Sequence, residues 1–281
     1  MRELDVARIT QAVAELFLEA NYVIGTDVMD KLAQSQAAEP SPLGRMVLEQ
    51  IIENNTIGAR ERMPVCQDTG LSVVYLSIGQ EVHLVGGSLE EAVNAGVRKA
   101  YQEGYLRKSI VAEPLFDRKN TGDNTPCVLH VRLIPGDKVH ITAIAKGFGS
   151  ENMSQLKMLT PSDGVEGVKR FVLRVVEEAG PNPCPPLVVG VGIGGSFELC
   201  ALMAKRATSL PMSRSHRDPR YKALEDDLEQ EINRLGIGPA GYGGQTTALK
   251  VHIMTAPTHI AGLPVAVNIC CHAARHAEMT L

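Results

Sequence analysis

Leu187-Val188-Val189-Gly190-Val191-Gly192-Ile193-Gly194-Gly195-Ser196 is the stretch that settles the class of fold. Its apolar, β-branched start reads as a buried strand over residues 187–191, the glycines as the turn that follows, and Ser196 as the opening of a helix to residue 208. This strand–glycine–helix order satisfies G-x-G-x-x-G in the setting a dinucleotide site requires. Two observations argue against that use. An acidic residue is needed about 20 positions further on, and the chain there reads Thr208-Ser209-Leu210-Pro211-Met212-Ser213-Arg214-Ser215-His216, turn-like and basic. The motif also starts too late in the chain to leave room for a doubly wound sheet. What survives is physical: glycines let two backbones approach closely, and a helix N-terminus favours an anion.

Working outward, a helix is expected over residues 165–179 before this strand. A charged surface helix follows it from Asp218-Pro219 to about residue 235, then short strands over 249–254 and 264–269. Towards the N-terminus the pattern gives a strand over 71–78, a helix over 89–103, and strands over 128–133 and 138–145. Ile134-Pro135-Gly136-Asp137 between the last two is a hairpin signal. The first sixty residues read as helical. Val6, Ile9, Val13, Leu16, Phe17 and Ala20 recur at helical spacing, a second helix covers 31–36, and a third starts at Ser41-Pro42 with Met46, Val47, Ile51 and Ile52 on its buried side. The expected fold is therefore mixed α/β (α+β), with mixed sheets, flanking helices and a helical N-terminal lobe. It is expected to be one domain over 1–281, the lobe covering 1–62 and the mixed part 63–281.

Net charge is −4, from 28 basic and 32 acidic residues that are interspersed, and Trp is absent. No basic stripe alternates with aromatics, so nucleic acid is not an expected partner. No apolar run is long enough to span a membrane. Met1-Arg2-Glu3-Leu4-Asp5 is charged from the start, unlike a signal or transit peptide. A cytoplasmic location is expected, and in that reducing setting six cysteines suit a metal or cluster better than disulfides.

Three of those cysteines lie far apart in the chain, in loop-like settings. They are Cys66 in Pro64-Val65-Cys66-Gln67-Asp68-Thr69-Gly70, Cys184 in Asn182-Pro183-Cys184-Pro185-Pro186, and Cys271 in Cys270-Cys271-His272. Three thiolates at one point can hold an iron–sulfur cube by three irons and leave the fourth open as a Lewis acid. The plainer reading is that a free cysteine is a small buried hydrophobe. Cys127 in a strand and Cys200 in a helix fit that description, and Cys270 competes with its neighbour by position. Cys271, His272 and His276, with His259 nearby, can also be read as zinc ligands, although no C-x-x-C supports it. Asp68 is either a proton donor and acceptor beside a cluster or the cap of its own Asx turn. Arg107 is either a carboxylate clamp or a surface residue, and His259 sits in a loop where it could orient a substrate.

Taken together, Pro64 to Gly70, Lys146-Gly147-Phe148-Gly149-Ser150-Glu151-Asn152-Met153-Ser154, Cys184-Pro185-Pro186, Gly190 to Gly195 and Cys271-His272-Ala273 resemble one family in matching order. They are similar to the α subunit, or N-terminal domain, of the class I iron–sulfur fumarate hydratases, a family that includes tartrate dehydratases. The resemblance runs from about residue 49 onward. It implies a [4Fe–4S] cluster on Cys66, Cys184 and Cys271, the last preferred over Cys270 because it directly precedes the histidine. It assigns Gln67, Asp68, Arg107, Gly149 and His259 to a substrate pocket, with Asp68 as acid–base residue, Arg107 on a substrate carboxylate and His259 in contact with substrate. The implied reaction is reversible hydration of fumarate to L-malate; the Lys146-to-Asn152 stretch favours it over tartrate dehydration. An iron–sulfur redox sensor is the reading from another class. Nothing in the 281 residues resembles the family's C-terminal partner domain, so a separate β subunit completing the site of a hetero-oligomer is expected, with the isolated chain inactive. Phe148 stands where the family often has a third glycine, which is expected to narrow the pocket.

Overall fold

The computed structural model describes all 281 residues. The chain runs β1 (Arg2–Asp5), α1 (Val6–Tyr22), α2 (Thr26–Ala38), α3 (Pro42–Glu61), β2 (Leu71–Gly79), β3 (Val82–Val85), α4 (Leu89–Glu103), β4 (Val128–Ile134) and β5 (Val139–Lys146). It continues with α5 (Phe148–Glu151), β6 (Gln155–Leu159), α6 (Gly164–Ala179), β7 (Leu187–Gly194), α7 (Phe197–Ala207), α8 (Pro219–Arg234), β8 (Ala248–Ala256), β9 (Leu263–Cys270) and β10 (His276–Thr280). The fold is mixed α/β, as the sequence pattern implies. The residues form two compact units. The first holds Met1–Gly25, Asn55–Phe148 and Arg275–Leu281, and the second holds Thr26–Asn54 and Gly149–Ala274. The helices expected over 1–62 all form and are divided between the units, α3 passing from the second to the first within its length. No helix is long and apolar enough to cross a membrane.

In the first unit, α1 and α4 pack on a four-stranded sheet of order β10-β5-β2-β4. Asp5 starts α1 by accepting the Ala7 N–H at 2.8 Å, and Ser88 starts α4 by accepting that of Glu91. Ile9, Val13 and Phe17 of α1, Val93, Val97 and Tyr101 of α4, and Val74, Leu76 and Ile141 of the sheet make the core. Each fully buried aliphatic or Phe side chain contributes about 1.5–3 kcal/mol. The helices approach closely because residue 96 is glycine: a Cβ there would lie 2.6 Å from the Thr10 carbonyl oxygen.

One expectation is overturned here. The strands on either side of Ile134-Pro135-Gly136-Asp137 do not pair as a hairpin, because β2 lies between them. It pairs parallel with β4, from Val73 opposite Val128 to Gly79 opposite Ile134, and antiparallel with β5, from Leu71 opposite Lys146 to Ile78 opposite Val139. The turn instead crosses the end of β2. The Gly79 N–H donates to the Lys138 carbonyl and the Gln80 N–H to that of Ile134, both at 2.8 Å. A Cβ at Gly79 would meet the Gly136 oxygen at 2.2 Å, so the crossing needs glycine.

The second unit is a sheet of order β6-β9-β7-β8, with α6 and α8 on one face and α7 on the other. Leu187, Val189, Val191 and Ile193 of β7 face Val172 and Val175 of α6 and Leu228 and Ile232 of α8. The glycines of the same strand face α7. A Cβ on Gly190 would lie 2.1 Å from the Ala204 oxygen, and one on Gly192 would lie 2.0 Å from the Cys200 oxygen. These glycines therefore let α7 lie directly on the strand. Asp218 caps α8 through the Arg220 N–H at 2.9 Å, with Pro219 in the first turn. Glu39, buried after α2, accepts the N–H groups of Ser41, Gln245 and Thr246.

Candidate active site

Four of the eight expected site residues, Cys66, Gln67, Asp68 and Arg107, belong to the first unit. The loop carrying the first three is fixed at several points. Asn21, fully buried at the end of α1, accepts the Val65 N–H on its carbonyl at 3.0 Å. The Tyr101 hydroxyl lies 2.7 Å from the Thr69 carbonyl oxygen and 3.0 Å from that of Gly70. The Thr69 hydroxyl donates to the Arg107 carbonyl at 3.1 Å, which brings the Arg107 segment to this loop. Buried Asn124 closes the arrangement, accepting the Ser109 N–H at 2.8 Å and donating to the Gly70 carbonyl at 3.3 Å. Cys66 and Asp68 are half-buried, while Gln67 and Arg107 are exposed.

Asp68 forms the Asx turn the sequence allows, its Oδ1 accepting the Gly70 N–H at 3.0 Å. Its Oδ2 accepts the Phe148 N–H at 2.8 Å. Beside it is a buried cation. A Cβ on Gly147 would lie 3.4 Å from Asp68 Oδ2 and 3.2 Å from Arg275 Nη2, so carboxylate and guanidinium flank that glycine. Arg275 is 3% exposed and donates from Nη1 to Asn21 Oδ1 at 3.1 Å.

Gly149, Cys184, His259 and Cys271 belong to the second unit. Cys184 has a left-handed backbone, φ 54°, and is exposed in its proline-flanked loop. A non-glycine residue held in this way stores strain of about 1–3 kcal/mol, as six other residues of the chain do, Arg62 and Ala240 among them. Its carbonyl accepts the His272 N–H at 3.4 Å, which joins the Cys184 loop to the turn that starts at Cys271. Gly149 borders the same loop, a Cβ there lying 3.5 Å from the Asn182 oxygen. The His259 loop is stitched to the end of the glycine motif, where the Gly195 N–H donates to Pro257 and the Thr258 hydroxyl to the Gly195 carbonyl. His259 is exposed, and its Nδ1 accepts the Ala261 N–H at 3.2 Å.

The donor set suits an iron–sulfur cluster. None of the six cysteines is in a disulfide. Cys200 and Cys270 are buried in α7 and β9, and burial pushes the Cys127 thiol up to about 11, so it stays protonated. Cys66, Cys184 and Cys271 lie in loops with some exposure; Cys127 shares that class, standing just before β4 rather than within it, and is set apart by its raised thiol and by its own N–H donating to Asn94 Oδ1 at 2.9 Å. No three His, Cys, Asp or Glu side chains group as a single ion requires, which leaves the zinc reading without a donor set. A cube makes a different demand, since each thiolate binds its own iron.

Tyr101, Asn124, Asn21 and Arg275 hold the Cys66–Gly70 loop and its surroundings and were not singled out from sequence. Tyr101 lies on the apolar stripe of α4, and its hydroxyl is the one signal of a second task. The others become meaningful only once the chain is folded.

The family profile described as Fumarate hydratase (Fumerase) matches residues 10–280. A Methanocaldococcus jannaschii protein, provisionally named L(+)-tartrate dehydratase subunit alpha, is 42% identical to this chain, over 96% of each. The L(+)-tartrate dehydratase subunit alpha of Escherichia coli K12 is 34% identical over 99% of this chain and 94% of its own length. That of Shigella boydii aligns to the same extent at the same identity. With this agreement along nearly the whole chain, the chain belongs to the fumarate hydratase family of hydro-lyases.

Proposed function

We propose that this chain is the cluster-bearing, α-type subunit of an iron–sulfur hydro-lyase that interconverts L-malate and fumarate. The observation that supports the reading most is the setting of the cysteines. Cys66 shares one pinned loop with Asp68 and the Arg107 segment, and Cys184 is tied by its carbonyl to the turn of Cys271. Cys66, Cys184 and Cys271 are the residues that hold a [4Fe–4S] cluster. When bound, that cluster supplies an open iron, a Lewis acid that makes hydroxide a better leaving group.

The chain's own residues do the rest of its share. Arg107 takes a substrate carboxylate bidentately, and Gln67, whose Oε1 accepts from the Cys66 thiol at 3.5 Å, contributes its amide to the substrate pocket. Gly149 leaves backbone without a side chain in the pocket wall. His259, with Nδ1 accepting the Ala261 N–H, carries its proton on Nε2 when neutral and so presents a donor to the substrate. Asp68, fixed by the Gly70 and Phe148 N–H groups, is the acid–base residue that this chain contributes. Holding both carboxylates aligns the C–H and C–O bonds that break. A separate β subunit supplies the remaining groups, including the base, within a hetero-oligomer. The reducing cytoplasm is the compartment these thiols suit.

The names of the relatives favour a second reading, L(+)-tartrate as substrate, which differs from malate by one hydroxyl. The test is an anaerobic assay of the chain reconstituted with iron, sulfide and its partner subunit, on both acids. Faster turnover of malate supports the first reading and faster turnover of tartrate the second. Loss of water from neither acid would refute both. Full activity without the partner would refute the two-subunit account.

A further inference from the structure

In the second unit β8 is an edge strand, and its open side is covered by the connection between α7 and α8 rather than by another strand. Glu225 of α8, 1% exposed, joins the two. Its Oε1 accepts the Ile253 N–H at 2.7 Å and its Oε2 the His216 N–H at 2.9 Å. Between the connection and the strand lies a cleft of about 330 Å³, whose walls include Arg214, Ser215, His216, Arg217, His252 and Thr255. Glu225 reaches this cleft too, but both of its oxygens are engaged.

The chemistry of the walls is one-sided. Arg214 and Arg217 are exposed. His216 Nδ1 accepts the Asp218 N–H at 3.1 Å, so its neutral ring carries the proton on Nε2, 3.2 Å from Thr255 Oγ1. Thr255 can accept that proton and keep its own for a ligand. Nearby carboxylates are already occupied, Asp27 by the Met212 N–H and Asp218 by Arg220. His252 is 0% exposed and neither ring nitrogen makes a hydrogen bond; the Leu210 carbonyl faces it without hydrogen-bond geometry. A buried imidazole in this condition lacks an acceptor that water or a ligand has to supply.

We propose that this cleft binds a small oxyanion, a phosphate or a carboxylate group, on Arg214, Arg217, the Thr255 hydroxyl and the His252 N–H. The anion supplies the acceptor that His252 lacks and the negative charge that the two arginines lack. Binding is linked to protons. Burial, followed by the positive charges of Lys250 and Arg214, pushes His252 down to about 4, while the Leu210 carbonyl and Asp27 act in the other direction. An anion beside the ring raises that value. For an anion of fixed charge, affinity therefore increases as pH falls from the value His252 has in the complex to its free value. None of this depends on the proposed hydro-lyase reaction.

The test is a titration of the full-length chain, followed by histidine side-chain ¹H–¹⁵N NMR at constant ionic strength. Potassium phosphate is used in one arm and succinate in the other. The expected result is saturable movement of the His252 signals with Kd of about 1 mM or tighter, in the arm whose anion the cleft prefers. Arg214→Ala/Arg217→Ala is expected to weaken binding at least tenfold with an unchanged melting temperature, since both side chains are exposed. No saturable shift in either arm, or equal affinity in the double-arginine variant, would overturn the proposal.

Discussion

Tyr101→Phe removes one oxygen from the wall that holds the Cys66–Gly70 loop. The ring itself is retained: Tyr101 is fully buried, edge-on to Phe17 with centroids 6.2 Å apart, and Phe fills the same space. The hydroxyl has one proton to share between the Thr69 carbonyl at 2.7 Å and the Gly70 carbonyl at 3.0 Å. After substitution Gly70 keeps Asn124 as a donor at 3.3 Å, and the Thr69 carbonyl loses the shorter bond. Removing one partner from a buried pair costs about 1–3 kcal/mol. Burial, the largest influence on the Tyr101 phenol, pushes it up to about 12, so it stays protonated and the cost is flat from pH 5 to 9. Urea unfolding is expected to show a lower midpoint at an unchanged slope. Amide exchange is expected to rise across residues 66–70 more than in β2. A stability change below about 0.5 kcal/mol, the lower edge of a net hydrogen bond, would refute the claim that the core of this unit fixes the loop.

Gly192→Ala drives a methyl to 2.0 Å from the Cys200 carbonyl oxygen, and backbone cannot yield as a side chain does. A loss of about 3 kcal/mol or more is expected in thermal melts, and a variant as stable as the parent would sink the packing role of the glycine motif. Glu39→Gln removes the charge from an acceptor of three backbone N–H groups, at a cost of about 1.5–3 kcal/mol at pH 7. Burial raises the Glu39 pKa, but hydrogen bonds from Thr246, Gln245 and Ser41 win and leave it lowered. The stabilisation is therefore complete above the ordinary carboxylate range and is lost as pH falls through the depressed value. Melts at pH 7, 5 and 3 should show parent and variant converging; a gap that widens in acid would contradict this. Cys184→Ser is expected to lose reconstituted iron without a change in melting, whereas Cys127→Ser keeps it, and iron analysis giving the reverse order would reject the ligand assignment.

Elements with a strong period were legible. The apolar stripe of α4 and the Asp218-Pro219 start of α8 are local properties, and they appear where the pattern put them. Weak patterns were read short. The helix expected over 31–36 spans Thr26–Ala38, and only Val28 and Leu32 of it are buried. The strands β1, β3, β6 and β10 are short and half-exposed, so they carry no clear alternation. The hairpin failed because turn chemistry fixes a reversal of direction but not what lies between the two strands, and here β2 does.

The site shows the same division. Cys66, Asp68, Cys184, Cys271 and His259 stand in short loops whose composition marks them. What fixes those loops comes from distant sequence: Tyr101 for Thr69, Asn124 for Gly70, and Asn21 for Val65 and Arg275. None of these pairings follows from a spacing. The glycine motif was legible as close packing, but its partner, the backbone of α7, was not.

The most direct measurement is anaerobic reconstitution of this chain with its partner subunit, followed by the absorbance of fumarate forming from L-malate. The account predicts that iron is taken up, that turnover requires both subunits, and that Cys66→Ser abolishes cluster and turnover together. Full turnover in Cys66→Ser, or a parent chain that takes up no iron, would contradict it.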